Sequence, residues 1–323
     1  MRRRTFLKLV GGAGAGLSLS PAVVGAQAPW PSRPAKIIVP FGAGGGTDNL
    51  ARYWGEMLSK AFGQQFVIEN RGGASGMIGT EATAKAEPDG YTLLISSNSS
   101  TVNLPLLRKS SYDQKSLNAI VRVGDGISGF CVHPSTGLNS IKELVDYVKA
   151  NPGKMPFGTP GPGTSGHMRM EMLSHRTGIK FLHVPYRGGA EVLNDLLTGT
   201  VQIANDPTNN AAIKAGKVKL LCVNHSTRSP DFPDVPTLTE AGYPNSDVPL
   251  WFAIWAPMAV PQPIVDALHA KVTEIAKLPE TAARLLLIGM LPVTSTQAEL
   301  QAFREAEIKT TSELIKLANI KLE

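Results

Sequence analysis

Apolar residues follow two alternating patterns along the chain, and together they predict an α/β protein. Short runs of mostly branched apolar residues are typical of buried strands. Between such runs, Leu50, Trp54 and Leu58 recur at four-residue spacing, as expected for one face of a helix. The first pattern predicts strands at residues 35–41, 65–69, 91–96, 130–133, 155–158, 179–185, 201–204 and 218–223. The second predicts helices at residues 47–62, 78–86, 141–150, 167–177, 190–197, 263–277, 280–288 and 297–317.

The order of these elements predicts how the chain is organised. Strands alternate with helices, which favours βαβ units and a largely parallel sheet. The pattern restarts near Phe130, so the chain divides into two similar halves, and residues 228–249, rich in Pro, Asp and Ser, are predicted to form a loop. Ligands of such sheets bind at the loops that follow the strands, and two facing halves suggest a cleft that closes about a hinge.

The first 28 residues have the composition of a secretory signal peptide. A basic start of three consecutive arginines and Lys8 precedes a weakly apolar stretch at residues 9–24 and the small-x-small cleavage signal Ala26-Gln27-Ala28. The run Arg3-Arg4-Thr5-Phe6-Leu7-Lys8 resembles the bacterial twin-arginine export signal, and a general secretory signal is the alternative. Either signal predicts export to the periplasm and a soluble mature protein, because no later segment holds 18 uninterrupted apolar residues.

Most of the net positive charge of the chain lies in the predicted signal peptide. The full chain of 323 residues carries 32 Lys plus Arg and 26 Asp plus Glu, a formal net charge of +6. The signal peptide holds four basic and no acidic residues, so its removal lowers the charge from +6 to +2. The remaining Lys and Arg are scattered, which gives no support to nucleic-acid binding. With 42% hydrophobic and 18% charged residues, a disordered chain is also excluded.

The two cysteines, Cys131 and Cys222, both lie in apolar runs. Export permits a disulfide between them, yet their surroundings favour buried, unreactive thiols in strands. Two cysteines this far apart do not form a metal-binding pattern.

Two glycine-rich loops are candidate ligand sites, because glycines let the backbone approach a ligand and direct N–H groups toward it. A predicted helix begins directly after each loop, and its N-terminal N–H groups favour a carboxylate or a phosphate. The candidate contacts of the first loop are Phe41, Gly42, Ala43, Gly44, Gly45 and Asp48. Those of the second loop are Thr159, Gly163, Thr164 and Ser165. For the first loop, a purely structural turn between strand and helix is the alternative.

Polar candidates also stand at three further strand ends. They are Ser96, Ser97, Asn98, Tyr186, Arg187, Gly188 and Asp206. The Tyr186 hydroxyl could donate to a ligand and Arg187 could draw an anion toward the cleft, with packing at a domain edge and simple exposure as the alternatives. Asp206 could receive a polar or cationic group of the ligand, or could cap a turn before Pro207.

The sequence contains no strong signature of catalysis or of metal binding. It has no G-x-S-x-G, H-E-x-x-H or C-x-x-C motif, and its histidines lack metal-ligand spacing. The G-x-G-x-x-G formed by Gly161, Gly163 and Gly166 lacks the acidic residue that dinucleotide sites place after the next strand. Ser165 and His167 lie close in sequence, which does not place them as nucleophile and base. We therefore expect no enzymatic activity, no cofactor and no metal.

Six motifs follow one another in order along the chain. In the first half they are Pro40-Phe41-x-Ala43-Gly44-Gly45-x-x-Asp48, Glu69-Asn70-Arg71-x-Gly73-Ala74-x-Gly76-x-Ile78-Gly79 and Ala86-x-Pro88-Asp89-Gly90-Tyr91-Thr92-Leu93-Leu94. In the second half they are His183-Val184-Pro185-Tyr186-Arg187-Gly188-Gly189, Lys214-Ala215-Gly216-Lys217 and Asp234-Val235-Pro236-Thr237-x-x-Glu240-Ala241-Gly242. Together they resemble the exported solute-binding proteins of tripartite tricarboxylate transporters, also called the Bug family. The resemblance extends over essentially the whole chain after the signal peptide.

The resemblance implies a type II periplasmic-binding-protein fold, with two α/β lobes joined by two crossover strands and a cleft between them. One lobe would comprise residues 29–128 and 253–323, and the other residues 129–252. In that family, backbone amides and ordered waters hold the ligand carboxylate, with little use of arginine. The positions that match the family's contacts are Phe41, Ala43, Gly44, Gly45, Asp48, Gly163, Thr164, Tyr186 and Gly188. Two departures are Arg187, where Lys is common, and the stretch 206–214, which is shorter than the family's pattern.

The function that the resemblance implies is capture of a small organic acid by a monomeric periplasmic receptor. The ligand would be a mono-, di- or tricarboxylate, and the partners would be the membrane permease subunits of a tripartite tricarboxylate transporter. A periplasmic sensor that acts through a membrane signalling partner is one alternative. An exported hydrolase that uses Ser165 and His167, or a dinucleotide enzyme that uses the second glycine loop, is the other.

Overall fold

The computed structural model describes residues 30–244 and 248–322, and two β-sheets organise this part of the chain. The predicted signal peptide lies outside the described residues. The strands are β1 (Ala35–Val39), β2 (Phe66–Asn70), β3 (Thr92–Ser97), β4 (Leu117–Gly126), β5 (Gly129–Val132), β6 (Pro156–Thr159), β7 (Leu182–Pro185), β8 (Ile203–Ala204), β9 (Lys219–Val223), β10 (Trp251–Pro257) and β11 (Met290–Leu291). The α-helices are α1 (Gly46–Phe62), α2 (Met77–Ala84), α3 (Leu104–Leu107), α4 (Ile141–Ala150), α5 (Ser165–Thr177), α6 (Gly189–Thr198), α7 (Asn210–Lys214), α8 (Gln262–Ala276), α9 (Pro279–Leu287) and α10 (Gln297–Leu317).

Each sheet forms the centre of one lobe. In the first lobe the six strands have the order β11-β4-β10-β3-β1-β2, and in the second lobe the five strands have the order β7-β6-β8-β5-β9. The chain leaves the first sheet after β4, builds the second sheet, and returns at β10. The predicted two-lobe α/β architecture is therefore confirmed.

The sheets are mixed, so the prediction of largely parallel sheets is only partly right. Strand β1 pairs in parallel with β2 and β3, and β6 pairs in parallel with β7 and β8. In contrast, β10 is antiparallel to β3 and β4, and β5 is antiparallel to β8 and β9. Parallel neighbours arise where a helical crossover connects two strands of one sheet. Strand β10 arrives from the other lobe without such a crossover, and it runs in the reverse direction.

Two crossover segments connect the lobes, one between β4 and β5 and the other between β9 and β10. They lie side by side and hydrogen-bond to each other. The Gly126 N–H donates to the Leu250 carbonyl at 2.8 Å, and the Asn224 N–H donates to the Ser128 carbonyl at 2.7 Å. Adjacent connecting segments of this kind are where a hinge motion between two lobes is absorbed.

Helix α1 shows how the apolar pattern builds the first lobe and fixes the position of the site. Leu50, Trp54 and Leu58 are fully buried in the core of this lobe. The Trp54 indole N–H donates to the Val123 carbonyl at 3.3 Å. Burial of one large apolar side chain contributes ~1.5–3 kcal/mol. The helix is therefore firmly held, and its N-terminus has a defined place next to the end of β1.

Three strands of the first sheet, β4, β10 and β11, lie outside every predicted strand. All eight predicted helices correspond to observed ones, and the predictions for α4 and α10 match their bounds. Strands β4 and β10 were missed, although they pair with each other in the middle of the sheet. Every residue of β10 is buried, so no alternation of polar and apolar residues marks it as a strand.

Both cysteines are buried and neither forms a disulfide, which confirms the prediction of buried thiols. Burial raises the pKa of the Cys131 thiol to about 12, so the thiol stays protonated and unreactive near neutral pH. No helix in residues 30–244 or 248–322 has the length and apolar character that a membrane crossing needs.

Candidate functional site

A cleft lies between the two lobes. The first lobe contributes the first glycine loop, the start of α1, the end of β3 and the start of β10. The second lobe contributes the second glycine loop, the starts of α5 and α6 and the segment after β8. The lining residues are Phe41, Gly45, Gly46, Thr47, Ser97, Ser99, Pro160, Thr164, Ser165, Gly166, Gly189, Asn205, Asp206, Pro207, Leu250 and Phe252.

The N-terminus of α1 faces the cleft, and its N-cap residue supplies no side-chain cap. Its N-cap residue is Gly45, which has no side chain, and Gly46 and Thr47 of the first turn line the cleft. Among the described residues, none accepts a hydrogen bond from the Thr47 N–H. The first turn of a helix carries unpaired N–H groups and the positive end of the helix dipole, so this end of α1 favours an anion.

Helices α5 and α6 of the second lobe repeat this arrangement. Their N-cap residues, Thr164 and Gly188, make no side-chain cap, and Gly166 and Gly189 of the first turns line the cleft. Neither of these two N–H groups has an acceptor within the described part of the chain. Three helix N-termini, one from the first lobe and two from the second, therefore converge on one cleft, as in anion-binding sites.

The charge of the cleft wall comes from a single residue. Asp206 is the one ionisable side chain among the described residues that line the cleft, and none of those residues is cationic. Burial raises the pKa of Asp206, although hydrogen bonds from Thr208 and the positive charge of Arg169 act in the opposite direction. Attraction of an anion into this cleft must therefore come from backbone N–H groups and helix dipoles.

Asp48 braces the first glycine loop from inside the protein. Its side chain is 1% exposed, and its carboxylate accepts hydrogen bonds from the Gly44 N–H at 2.8 Å and from Asn70 Nδ2 at 2.9 Å. Arg52 Nε donates to the same carboxylate at 2.8 Å. Burial alone would raise the pKa of Asp48, but these three hydrogen bonds outweigh burial and lower it. Asp48 therefore stays ionised and holds the backbone of the loop.

Thr159 and His167 brace the second glycine loop. The Gly161 N–H donates to Thr159 Oγ1 and the Gly163 N–H donates to His167 Nδ1, both at 3.2 Å. Gly161 and Gly163 have φ angles of 124° and 78°, which glycine adopts without strain. Burial and then the charge of the neighbouring His183 lower the pKa of His167 to about 3. His167 is therefore a neutral acceptor that fixes the loop.

Hydrogen bonds join the two lobes directly across the cleft. The Gly46 N–H of the first lobe donates to Thr208 Oγ1 of the second lobe at 2.9 Å. The Ser165 N–H of the second lobe donates to Ser99 Oγ of the first lobe at 3.1 Å. Ser165 Oγ also donates to Asn98 Oδ1 at 3.3 Å. The lobes are therefore in contact, and the structure shows a closed cleft.

Apart from Tyr186 and Arg187, the predicted ligand contacts fall into three groups. Those that line the cleft are Phe41, Gly45, Ser97, Thr164, Ser165 and Asp206. Those that lie behind the lining and are buried or braced there are Asp48, Ser96, Asn98, Thr159 and Gly163. Those at the outer edge of the first glycine loop and at its contact with α6 are Gly42, Ala43, Gly44 and Gly188.

Neither Tyr186 nor Arg187 lines the cleft in this structure. The Tyr186 hydroxyl donates to Asp195 Oδ2 at 2.5 Å, and burial together with this neighbouring carboxylate raises the pKa of Tyr186 to about 12. The Arg187 side chain is exposed. Asp206 accepts from the Thr208 N–H at 2.9 Å and caps a short 3₁₀ turn, which confirms its predicted role as a turn cap. It also lines the cleft, and its role as a ligand contact stays a prediction.

Several lining residues were not singled out from the sequence. Gly46, Thr47, Gly166 and Gly189 belong to the first turns of the helices that follow the predicted loops. The signal that could have found them is the helix start itself, because the N–H groups of a first turn are the ones without helical acceptors. No comparable signal marks Leu250, in the crossover segment before β10, or Phe252, in β10 itself.

Ser165 and His167 do not form a nucleophile and base. Ser165 Oγ donates to Asn98 Oδ1 at 3.3 Å and to the Pro249 carbonyl at 3.4 Å. His167 Nδ1 instead accepts from the Gly163 N–H, and its ring is neutral and buried. A serine nucleophile needs a base within hydrogen-bond reach. The geometry therefore gives no support to the hydrolase alternative.

The fold and the cleft define a class of protein, a two-lobe α/β binding protein whose site lies between the lobes. A family model described as "Tripartite tricarboxylate transporter family receptor" matches residues 50–320. The chain belongs to this family of solute-binding receptors.

Individual relatives agree with the family assignment. Protein BugT of Bordetella pertussis is 35% identical over 299 residues, which cover 91% of this chain and 92% of BugT. The solved structure of periplasmic binding protein BugD has a TM-score of 0.86 at 34% identity and covers 91% of this chain and 100% of BugD. An R. palustris protein solved with adipate has a TM-score of 0.88 at 32% identity, with the same coverage. The resemblance to the Bug family and the periplasmic-binding-protein fold are thereby confirmed.

Proposed function

We propose that this protein captures a small carboxylate-containing metabolite between its lobes and delivers it to the membrane permease subunits of a tripartite tricarboxylate transporter. The observation that carries the proposal is the convergence of three helix N-termini, from both lobes, on a cleft with no cationic lining among the described residues. Each of these helix starts has an N–H group without an acceptor in the described part of the chain. N–H groups of this kind favour an anion of modest size. The family assignment and the adipate bound to a solved relative support a carboxylate as that anion.

Ligand binding and lobe closure are linked in this proposal. A carboxylate that accepts hydrogen bonds from Thr47 in the first lobe and from Gly166 and Gly189 in the second contacts both lobes only when they are together. Such a ligand binds the closed state better than the open state and shifts the population toward it. The closed, loaded receptor is the form that the permease would recognise.

The proposal places the mature protein in the periplasm as a monomeric receptor without enzymatic activity. The sequence of the first 28 residues and the periplasmic setting of the solved relative BugD support export. The buried hydrogen bonds of Ser165 and His167 support a binding role for the second glycine loop over a catalytic one.

A thermal-shift screen tests the carboxylate proposal. The protein is first unfolded and refolded to remove any ligand that co-purifies with it, and then heated with mono-, di- and tricarboxylates. An acid in ~100-fold excess over its dissociation constant should stabilise the fold by ~2.7 kcal/mol. The methyl ester of the same acid is the matched control and should give no shift, because it lacks the charge that the helix N-termini attract. If no acid raises the melting temperature, the proposal is wrong.

Delivery to a transporter needs a separate test in the cell. Deletion of the gene should abolish uptake of the acid found in the screen, and a plasmid copy should restore uptake. Normal uptake combined with loss of a transcriptional response to the acid would instead support the sensor alternative.

A further inference from the structure

We propose that Thr208 and Ser99 are positioning residues whose hydroxyl groups latch the two lobes together, and the inference rests on the proposed function of the cleft. Each hydroxyl accepts a hydrogen bond from the first turn of a helix in the opposite lobe. Thr208, in the second lobe, accepts from the Gly46 N–H at the start of α1. Ser99, in the first lobe, accepts from the Ser165 N–H at the start of α5. The two contacts are therefore reciprocal.

The direction of the Thr208 hydroxyl is fixed by its own neighbours. Its single proton is donated to Asp206 Oδ1 at 2.5 Å, and the same carboxylate oxygen accepts from the Thr208 N–H at 2.9 Å. Because the hydroxyl proton is donated to Asp206, the hydroxyl oxygen is left to accept the hydrogen bond from the Gly46 N–H. Asp206 therefore orients the latch, which gives this carboxylate a role that needs no contact with the ligand.

Close packing leaves the latch little room for another geometry. A Cβ at Gly189 would lie 2.6 Å from Thr208 Oγ1 and 2.7 Å from Asp206 Oδ1. A Cβ at Gly45 would lie 3.5 Å from the Gly189 nitrogen of the opposite lobe. Glycine at position 189 therefore leaves the space that Thr208 Oγ1 and the Asp206 carboxylate occupy, whereas a Cβ at Gly45 would make an ordinary van der Waals contact with the opposite lobe.

The latch leaves other N–H groups available to a ligand. The N–H groups of Thr47, Gly166 and Gly189 have no acceptor among the described residues, so a carboxylate can bind them while both latches remain in place. The latches therefore stabilise the closed state for every ligand alike. They should set the overall affinity of the receptor and leave its selectivity unchanged, because the apparent dissociation constant depends on the fraction of protein that is competent to close.

Substitution of Thr208 by Val tests the latch, with Thr208→Ser as the matched control. Val keeps the shape of Thr and removes the hydroxyl, whereas Ser keeps the hydroxyl. A neutral hydrogen bond lost from the closed state corresponds to a ~2- to 10-fold weaker affinity. Titration calorimetry should show this loss for Thr208→Val with every acid, by the same factor, and a change of less than ~2-fold for Thr208→Ser.

Ser99→Ala provides an independent variant at the other helix, with Ser99→Thr as its control, in case Thr208→Val does not fold. Ser99→Ala should weaken the binding of every acid by the same factor. Two results overturn the latch. One is that Thr208→Val and Ser99→Ala both bind every acid as wild type does. The other is a loss for one acid with no change for the rest, which would make the hydroxyls ligand contacts.

Small-angle X-ray scattering of the ligand-free proteins separates failure of the latch from failure of the proposed function. Thr208→Val should have a larger radius of gyration than wild type and Thr208→Ser, because its closed state is less populated. If no acid binds the wild type, the proposed function is wrong. Scattering alone then tests whether the latch stabilises the closed state. Coincident curves for wild type and Thr208→Val would overturn it.

Discussion

Asn98 Nδ2 donates a hydrogen bond to Glu307 Oε1 at 2.5 Å, and both side chains are buried. The same Nδ2 also donates to the Pro249 carbonyl at 3.0 Å, so two acceptors fix the orientation of the amide. Its Oδ1 is thereby turned toward the second lobe, where it accepts from Ser165 Oγ at 3.3 Å. The C-terminal helix α10, which carries Glu307, is thus connected through one asparagine to the start of α5 at the cleft.

Glu307 should make the stability of the protein fall as the pH rises from about 4.5 to about 7. Burial raises its pKa to about 7, against the hydrogen bonds from Asn98 and Trp251 and the charge of Arg122, and Asp125 raises it slightly further. The folded state therefore holds a proton more tightly than the unfolded state. The stabilising contribution is complete below about pH 4.5 and is lost as the pH rises through about 7.

Urea unfolding of wild type and Glu307→Gln between pH 4.5 and 8.5 checks this prediction. The free energy of unfolding of wild type should decline relative to the variant, with a slope that approaches ~1.4 kcal/mol per pH unit between the two pKa values. Gln cannot titrate, so the variant lacks this component. Parallel curves for the two proteins over the whole range would contradict the prediction.

His167 should destabilise the protein in acid. Burial and the nearby His183 lower its pKa to about 3, so the unfolded state binds a proton more readily than the folded state. The contribution of neutral His167 to stability is fully present above about pH 6.5 and is lost as the pH falls toward 3. His167→Gln should therefore shift the acid unfolding midpoint, followed by circular dichroism, to lower pH. His175→Gln, at an exposed position of the same helix, should leave the midpoint unchanged. The same midpoint for wild type and His167→Gln would refute this account of His167.

Gly163 should be needed for closure of the two lobes as well as for the conformation of the second glycine loop. Its φ is 78°, and a Cβ there would lie 2.8 Å from Leu104 Cδ2 of the opposite lobe. Gly178 has a similar φ of 70°, but a Cβ there would meet nothing within 4 Å. Alanine at either position should cost ~1 kcal/mol of stability through backbone strain. Only Gly163→Ala should also weaken ligand binding. Equal affinities for the two variants in titration calorimetry would show that Gly163 is not a lobe contact.

Arg187 should contribute little to affinity. Its side chain is exposed and does not line the cleft. Arg187→Ala should therefore change the dissociation constant of the bound acid by less than ~2-fold, the size expected for loss of a distant, screened charge. A ten-fold loss of affinity corresponds to ~1.4 kcal/mol. A loss larger than this in titration calorimetry would mean that a cation holds the carboxylate.

Much of the fold could be predicted because its signals are local. Leu50, Trp54 and Leu58 mark the buried face of α1, and the glycines before it mark the loop at the cleft. Contacts between distant positions carry no such mark. Gly46 and Thr208 are 162 residues apart, and nothing in either local sequence shows that they meet. Strand β10 escaped prediction for a related reason, since burial on both faces removes the alternation that identifies a strand.

The central claim is that uncharged backbone N–H groups from both lobes hold a carboxylate in the cleft. A crystal structure of the refolded protein with the acid of highest affinity tests this claim most directly. We expect the carboxylate oxygens to lie ~3 Å from the nitrogens of Thr47, Gly166 and Gly189, as in N–H···O hydrogen bonds. A carboxylate bound outside the cleft, or held in it by a lysine or arginine side chain, would contradict the account.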